Sequence, residues 1–231
     1  MDAMAAHNDA DTPRDEDGCR RREEILDAAT DLFAEYGYSE AVTKDLADKL
    51  QIGKGTIYRY FPSKRELFLA AVDRVMRRMR VHVDQAVEGV PDLVHRLERG
   101  TLAFLTFFSK HPKFVELLIL ERALFKDRTT PTYIEHRERN KRRWHDVYET
   151  LIAQGRIRDM PIERITNVFV DLAYGTIFTN YFTGQSRSPE DQARDIIDVV
   201  FLGILGDSER KLRCHGAEAR PGNATFQHVD S

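Results

Sequence analysis

The stretch VTKDLADKLQIGKGTIYRYFPSK, residues 42–64, decides the fold. Apolar residues at 42, 46, 47 and 50 follow the spacing of one helical face, and Gly53 interrupts that pattern. A second short helix is predicted from Thr56 to Phe61. Two short helices around a tight turn are typical of a helix-turn-helix, whose second helix lies in the DNA major groove.

The second helix has an inward and an outward side at 100° per residue. Ile57 and Phe61 stand one turn apart and are expected to face the core, which places Arg59 nearly opposite them. Residues 49–65 contain no acidic residue and five basic ones, namely Lys49, Lys54, Arg59, Lys64 and Arg65. The ordinary interpretation is a solvated charged face. We favour a phosphate-binding strip, because turn glycines, helix spacing and charge segregation coincide here.

The sequence LFAEYGYSEAVTKDLADKLQIGKGTIYRYFPSKRELF resembles the DNA-binding signature of tetracycline-repressor-type (TetR family) transcriptional regulators. The resemblance covers about residues 20–75 at motif level, and the remainder matches in length and helical character. It implies DNA contacts at the positions that match the family's contact positions, which are Thr43, Lys44, Lys54, Gly55, Thr56, Tyr58, Arg59, Tyr60 and Lys64.

Three positions depart from the family pattern. Val42 stands where a hydroxyl residue often caps the first helix of the motif, and we expect Thr43 to serve as the cap one position later. Gln51 occupies the usual turn glycine, where a left-handed conformation costs more. Gly53 replaces a common serine cap, a milder loss because glycine caps tolerably.

Composition excludes several protein classes. The chain has 231 residues and a net charge of −3, so its basic strip is local. Its two cysteines, Cys19 and Cys214, argue against a disulfide framework or a metal cluster. The N-terminus lacks an apolar signal region, and the longest uncharged run, residues 172–186, is too short and polar to span a membrane. We expect a cytoplasmic protein without membrane contact or cofactor.

Four regions are predicted. Residues 1–18 are a polar tail expected to be disordered, and residues 213–231 form a second such tail. Between them lie a helix-turn-helix DNA-binding domain over 19–65 and a helical ligand-binding and dimerisation domain over 66–212. The predicted fold class is all-α, with three helices in the DNA-binding domain. The cluster Arg20, Arg21 and Arg22 either reaches the adjacent minor groove or makes the first helix soluble, and the sequence does not decide between these.

Helical periodicity continues through the second domain. Ser63 and Glu66 form a capping box that opens a helix to about Gly89, and further helices are expected near 92–110, 112–125, 133–155 and 161–183. The helix near 161–183 and the centre of the last one, 196–205, are apolar on nearly every face and need cover on all sides.

That pattern predicts a four-helix dimer interface with two helices from each subunit. The alternative is core burial within one chain, and the family resemblance also favours the dimer. The residues expected at the interface are Phe169, Leu172, Ile177, Phe178, Val200, Phe201 and Ile204.

A carboxylate lies in the middle of an apolar helical face. Glu121 shares that face with Phe114, Leu117, Leu118 and Phe125, where an unpaired charge is costly. The favoured partner is Arg137 on the inward stripe of the next helix. The other candidate is a cationic or hydrogen-bond-donating inducer in an apolar pocket. That pocket is predicted to contain Glu121 with Phe104, Phe107, Phe108, Trp144, Tyr148 and Phe178.

The sequence therefore predicts a homodimeric repressor that binds a palindromic operator in double-stranded DNA and is released by a small-molecule inducer. The alternative is a helical module that binds a small molecule or a protein and does not act through DNA. An enzyme is not expected, because no nucleophile–base–acid set, glycine-rich phosphate loop or metal-ligand spacing occurs in the sequence.

Overall fold

The computed structural model describes residues 12–184 and 187–203. Regular secondary structure in these ranges is entirely α-helical, which confirms the predicted all-α class. The helices are α1 Thr12–Glu40, α2 Thr43–Lys49, α3 Lys54–Tyr60, α4 Lys64–Val87, α5 Leu93–Lys110, α6 Pro112–Leu124, α7 Thr132–Ala153, α8 Ile162–Thr183 and α9 Pro189–Phe201. Every one of these helices is too short or too polar to cross a lipid bilayer.

The first three helices form an N-terminal head around a small apolar core. Helix α1 is interrupted at Gly37, which adopts a φ of +67° and kinks the helix. Ile25 and Phe33 of α1 meet Leu46 of α2 and Ile57 of α3, and all four side chains are buried. This core holds the short helices α2 and α3, which are below the length that is stable alone in water.

The N-terminal boundary differs from the predicted one. Helix α1 begins at Thr12, inside the region 1–18 that was predicted to be a tail. Residues 1–11, the predicted tail 213–231 and the predicted interface residue Ile204 lie outside the described residues.

Helix α4 connects the head to the rest of the molecule. Ser63 caps it, since its Oγ accepts a hydrogen bond from the Glu66 backbone amide at 3.1 Å. Its apolar stripe is buried at Leu67, Phe68, Ala71, Val72, Val75, Met76 and Met79. The helix packs against α1 on one side and α5 on another, so head and body share one continuous core.

Two arginines of α4 pair with one aspartate of α1. Arg74 donates hydrogen bonds to both oxygens of Asp27, at 2.8 and 3.1 Å, and Arg78 donates to Asp27 at 2.7 Å. Burial raises the pKa of Asp27, but the hydrogen bonds from these two arginines outweigh it, and the pKa lies below its usual value.

The five helices after α4 form the body. Their boundaries agree with the predicted ones to within one or two residues, except that α9 ends at Phe201. Two cores lie in the body: the large one continues from α4 through α5, α6, α8 and α9, and a smaller one contains Leu97, Tyr148 and Leu151. A cleft between α4, α5, α7 and α8 lies beside the smaller core.

Candidate nucleic-acid interface and ligand pocket

Helix α3 presents an exposed polar side, as predicted for a recognition helix. Ile57 is fully buried and Phe61 nearly so, which anchors the helix to the head. Tyr58 and Arg59 are exposed on the surface. The Arg59 guanidinium lies 5.2 Å from the centroid of the Tyr60 ring, a cation–π contact that orients it on the surface. Arginine can bond the O6 and N7 atoms of guanine with two parallel hydrogen bonds.

The turn before α3 has an unusual conformation at Gln51. This residue adopts a φ of +54°, the left-handed region in which the family places glycine. Hydrogen bonds on both sides hold it there, from the Gln51 amide to the Asp48 carbonyl at 3.2 Å and from the Ile52 amide to the Ala47 carbonyl at 3.0 Å. The turn thus keeps the helix-turn-helix geometry despite the side chain.

The start of α2 corrects one expectation. Val42 is the N-cap and makes no side-chain cap hydrogen bond, and Thr43 is already the first helical residue. Thr43 does not replace the missing cap. Its hydroxyl lies 3.2 Å from the Tyr58 hydroxyl, so it links α2 to the recognition helix instead.

The other predicted DNA-contact residues lie on α2, α3 and the first turn of α4. Lys44, Lys54 and Gly55 are exposed, and Thr56 and Tyr60 are half-buried. Gly53 caps α3 without a side chain, and a methyl group added at Gly55 would meet no protein atom within 4 Å. Gly55 therefore leaves open space at the start of the recognition helix.

Two residues of the basic strip have partners inside the protein. The Lys64 ammonium donates to the Ser39 carbonyl at 3.2 Å and lies 4.9 Å from the Tyr38 ring centroid. Arg65 forms an ion pair with Asp127 and lies over the Phe125 ring. Arg65 is thus directed to the body rather than to the strip, and sequence spacing could not show it because Asp127 is 62 residues away.

The arginine cluster at 20–22 lies within α1. Arg20 and Arg21 pair with acidic residues one turn away on the same helix, and the Arg22 guanidinium lies 4.9 Å from the Phe61 ring centroid. The cluster is therefore part of a charged helical face that also packs on the head, and both interpretations stay open.

The body contains a cleft with about 790 Å³ of space free of protein atoms, part of which opens to solvent. Helices α4, α5, α7 and α8 supply its walls. The lining residues include Met79, Val83, Leu97, Gly100, Thr101, Phe104, Arg137, Asn140, Trp144, Tyr148, Phe169, Val170, Ala173 and Tyr174. Such a cleft, mostly apolar with a few polar groups, is typical of small-molecule sites.

Some predicted pocket residues line this cleft and others do not. Three of them line it, namely Phe104, Trp144 and Tyr148. The other four lie outside it: Phe107, Phe108, Glu121 and Phe178. Phe107 packs against Phe108 and Phe114 at 5.2 and 6.0 Å between centroids, and Phe178 packs against Tyr133 at 5.9 Å. Phe107 and Phe108 are buried in the core, and the half-buried Phe178 packs against it, so these three rings do not line the cleft.

Glu121 is buried and has a protein partner, which is not Arg137. Its carboxylate accepts hydrogen bonds from the amide and hydroxyl of Thr132, and Arg128 Nε lies 3.3 Å away. Arg137 pairs with Asp171 on α8 instead. The predicted partner was wrong because Arg128 and Thr132 belong to the loop and helix start between α6 and α7, where periodicity does not report side-chain direction.

The predicted interface residues also divide into two groups. Phe169 and Ile177 are buried within the protomer, whereas Leu172 is 39% exposed. Val200 and Phe201 are half-buried. Because this helix is apolar on nearly all faces, its sequence does not indicate which face points inward. Its inward and outward residues could therefore not be told apart.

The outward side of α8 is a stripe of exposed apolar and small residues at spacings of four and three. We call Val168, Leu172, Gly175, Thr179 and Phe182 the α8 stripe. Val199 and Leu202, at the end of α9, are also exposed, at 48% and 61%.

Comparison with known proteins identifies the family. The model of "Bacterial regulatory proteins, tetR family" matches residues 25–71, which contain the helix-turn-helix. The HTH-type transcriptional repressor KstR of Mycobacterium tuberculosis is 36% identical over 192 residues, with 82% of each chain covered. This chain belongs to the tetR family of bacterial regulatory proteins.

Another relative matches a smaller part of the chain. The HTH-type transcriptional regulator YhgD of Bacillus subtilis is 36% identical over 98 residues, and the match covers 42% of this chain and about half, 51%, of that protein. The tetR-family fold itself extends through the body. The transcriptional regulator FadR of Bacillus subtilis, solved in complex with stearoyl-CoA, superposes with a TM-score of 0.65 at 15% identity, covering 79% of this chain and 99% of that one.

Proposed function

We propose that this protein is a homodimeric transcriptional repressor of the bacterial cytoplasm that binds a palindromic operator and leaves it when a small molecule occupies the cleft. The observation that carries the proposal is the recognition helix, which buries Ile57 and exposes Tyr58 and Arg59 at the same time. The name of the relative KstR, a transcriptional repressor, supports repression as the direction of control.

The α8 stripe supports a dimer. It exposes Val168 and Leu172, and Val199 and Leu202 are exposed at the end of the neighbouring helix α9. Exposed apolar surface of this kind is typical of protein interfaces. A two-fold axis through such a face would bury the same residues from both protomers. Two recognition helices would then read two half-sites about 34 Å apart, or a multiple of that distance.

Helix α4 supports communication between cleft and DNA. Met79 and Val83 in its second half line the cleft, while only three residues separate its first residue from the recognition helix. A ligand that fits better when α4 is displaced would shift the dimer toward a spacing that the operator does not match.

The proposal is tested by selecting binding sites from a random pool of double-stranded DNA and measuring the recovered sequence with purified protein. We expect an inverted repeat, a complex of one dimer per repeat by light scattering, and an affinity that falls steeply as salt rises. Recovery of no enriched sequence would contradict the proposal and favour a module that does not act through DNA. Enrichment of single half-sites by a monomer would contradict the dimer alone.

A further inference from the structure

Two residues that line the cleft each have a buried hydrogen-bonding atom without a partner in the described residues. These are the Nε of Arg137 and the hydroxyl oxygen of Tyr174. Both residues line the cleft, one from α7 and one from α8, and they are close enough for the arginine charge to act on the Tyr174 hydroxyl. Buried polar atoms are nearly always hydrogen-bonded, so two exceptions among the residues that line one cleft call for an acceptor from outside the chain.

Both atoms are donors under physiological conditions. Burial raises the pKa of the Tyr174 hydroxyl far above its usual value, against a smaller opposite effect of Arg137, and the hydroxyl therefore keeps its proton. The guanidinium of Arg137 remains charged, and one of its terminal nitrogens is paired with Asp171, whose side chain is mostly exposed. Its Nε–H is left for a second acceptor.

The charges around the cleft have the same preference. Its lining contains four basic residues, Arg80, Arg137, Lys141 and Arg143, and one acidic residue, Asp84. Asp84 is already paired with Arg143 at 2.6 Å, and Arg80 has no ion pair in the described part of the chain. No carboxylate of the lining is therefore left for a cation, and Glu121, for which a cationic ligand was considered from sequence, does not line the cleft.

The apolar part of the lining is aromatic and aliphatic. Phe104 packs against Tyr174 at 5.1 Å between centroids, and the Trp144 ring lies across the cleft wall formed by Gly100. A methyl group added at Gly100 would approach two ring carbons of Trp144 at 3.3 Å, so the glycine makes room for the indole. A ligand in this cleft meets apolar surface on most sides and two donors at one place.

We propose that the cleft binds an apolar molecule that carries a carboxylate, with the carboxylate held by Arg137 Nε and the Tyr174 hydroxyl and the apolar body held against Phe104 and Trp144. A carboxylate accepts both hydrogen bonds at once and is charge-matched to the guanidinium. This inference rests on the proposed function for its consequence, which is release from DNA, but not for the binding itself.

Trp144 gives a direct readout, because it is the single tryptophan of the chain and lines the cleft. The probes are dodecanoate, and dodecylamine as a cation with the same alkyl chain, both kept below their micelle concentrations. We expect dodecanoate to change Trp144 emission saturably and to bind at least about ten-fold more tightly than the amine, since only the anion completes the two donors. No saturable response to dodecanoate, or equal affinity for the amine, overturns the inference.

Two variants assign the donors. Arg137→Gln should bring the preference for the anion below about three-fold, and Tyr174→Phe, which removes one oxygen, should weaken dodecanoate about three- to ten-fold with no change for the amine. The control is Arg142→Gln on the same helix, an exposed arginine outside the cleft, which should leave both affinities unchanged. If Tyr174→Phe and Arg137→Gln both fold, as judged by circular dichroism, and both keep the wild-type preference, the assignment is wrong.

The failure of this inference and that of the proposed function can be told apart. Operator binding without any probe tests the proposed function alone. A protein that binds no DNA but prefers dodecanoate through Arg137 keeps the binding inference. A protein that binds its operator and shows no preference for the anion keeps the function and loses the inference.

Discussion

The Glu121 carboxylate accepts hydrogen bonds from both the backbone amide and the hydroxyl of Thr132, at 2.9 and 2.7 Å. Thr132 is the first residue of α7, so this carboxylate caps the amino end of that helix from the neighbouring helix α6. Negative charge at a helix amino terminus is stabilising. The polar group in the apolar face of α6 thus joins two body helices.

Glu121→Gln is expected to destabilise the protein by about 1–3 kcal/mol, because the neutral amide loses the charge-assisted hydrogen bonds and places an NH2 group among donors. The measurement is urea unfolding at fixed protein concentration. Glu135→Gln is the matched control, since Glu135 pairs with the same Arg128 but is largely exposed, and about 0–1 kcal/mol is expected. Equal losses in the two variants would contradict the capping role.

Arg59→Ala is expected to cost about 1–3 kcal/mol of binding free energy on the selected operator and to relax one base position. Arg59 is exposed and directed by its contact with Tyr60, as base readout requires. Lys54→Ala, at an exposed position of the same helix, should instead weaken all sequences similarly and make the salt dependence shallower. Titrations of the operator and of a scrambled duplex measure both effects, and an unchanged ratio of the two affinities in Arg59→Ala contradicts the readout role.

Leu172→Glu is expected to give monomers or aggregates and to abolish operator binding, while the helical content of each chain is retained. Leu172 belongs to the α8 stripe. At a two-fold interface the substitution would bury two unpaired carboxylates, one from each protomer, which is strongly destabilising. Asn167→Glu, an exposed position of the same helix beside the stripe, is the control and should remain dimeric. Light scattering at micromolar concentration decides, and a dimeric Leu172→Glu protein would place the interface elsewhere.

Much of this fold could be predicted from sequence because helical periodicity and caps are local. The buried positions from Leu67 to Met79 and the cap at Ser63 are read from spacing alone. The phase of α8 could not be read in this way, since nearly every face of that helix is apolar. The partner of Glu121 was missed for a different reason. Arg128 and Thr132 are positioned by the loop after α6. Side-chain directions in a loop follow no regular spacing, so they cannot be predicted from sequence periodicity.

The hydrogen bond between His136 and Asp73 should make the free energy of unfolding depend on pH in the acid range. His136 Nε2 lies 2.7 Å from Asp73 Oδ1 and joins α7 to α4, and its hydrogen bond, with help from Arg77, holds the pKa of Asp73 below 3.8. A carboxylate with a depressed pKa contributes stability above the pKa of its unfolded state and loses that contribution as the pH falls through the folded value. Asp73→Asn should therefore be less stable than wild type at neutral pH, and the gap should shrink below pH 3.8. Urea unfolding at several pH values measures the gap, and a gap independent of pH would contradict the prediction.

The helical break at Gly37, the cap at Ser63 and the ion pair between Arg65 and Asp127 all lie near one end of α4. The other end of the helix forms a wall of the cleft. From Lys64 to Met79 the helix is a stiff rod of about 22 Å at 1.5 Å per residue, without proline or glycine. A tilt of about 5° at the cleft would carry the tip of that rod about 2 Å sideways, and two such rods related by symmetry would change their separation by about 4 Å. In the proposed dimer, geometric amplification of this kind would let a small ligand mismatch the two half-sites of DNA.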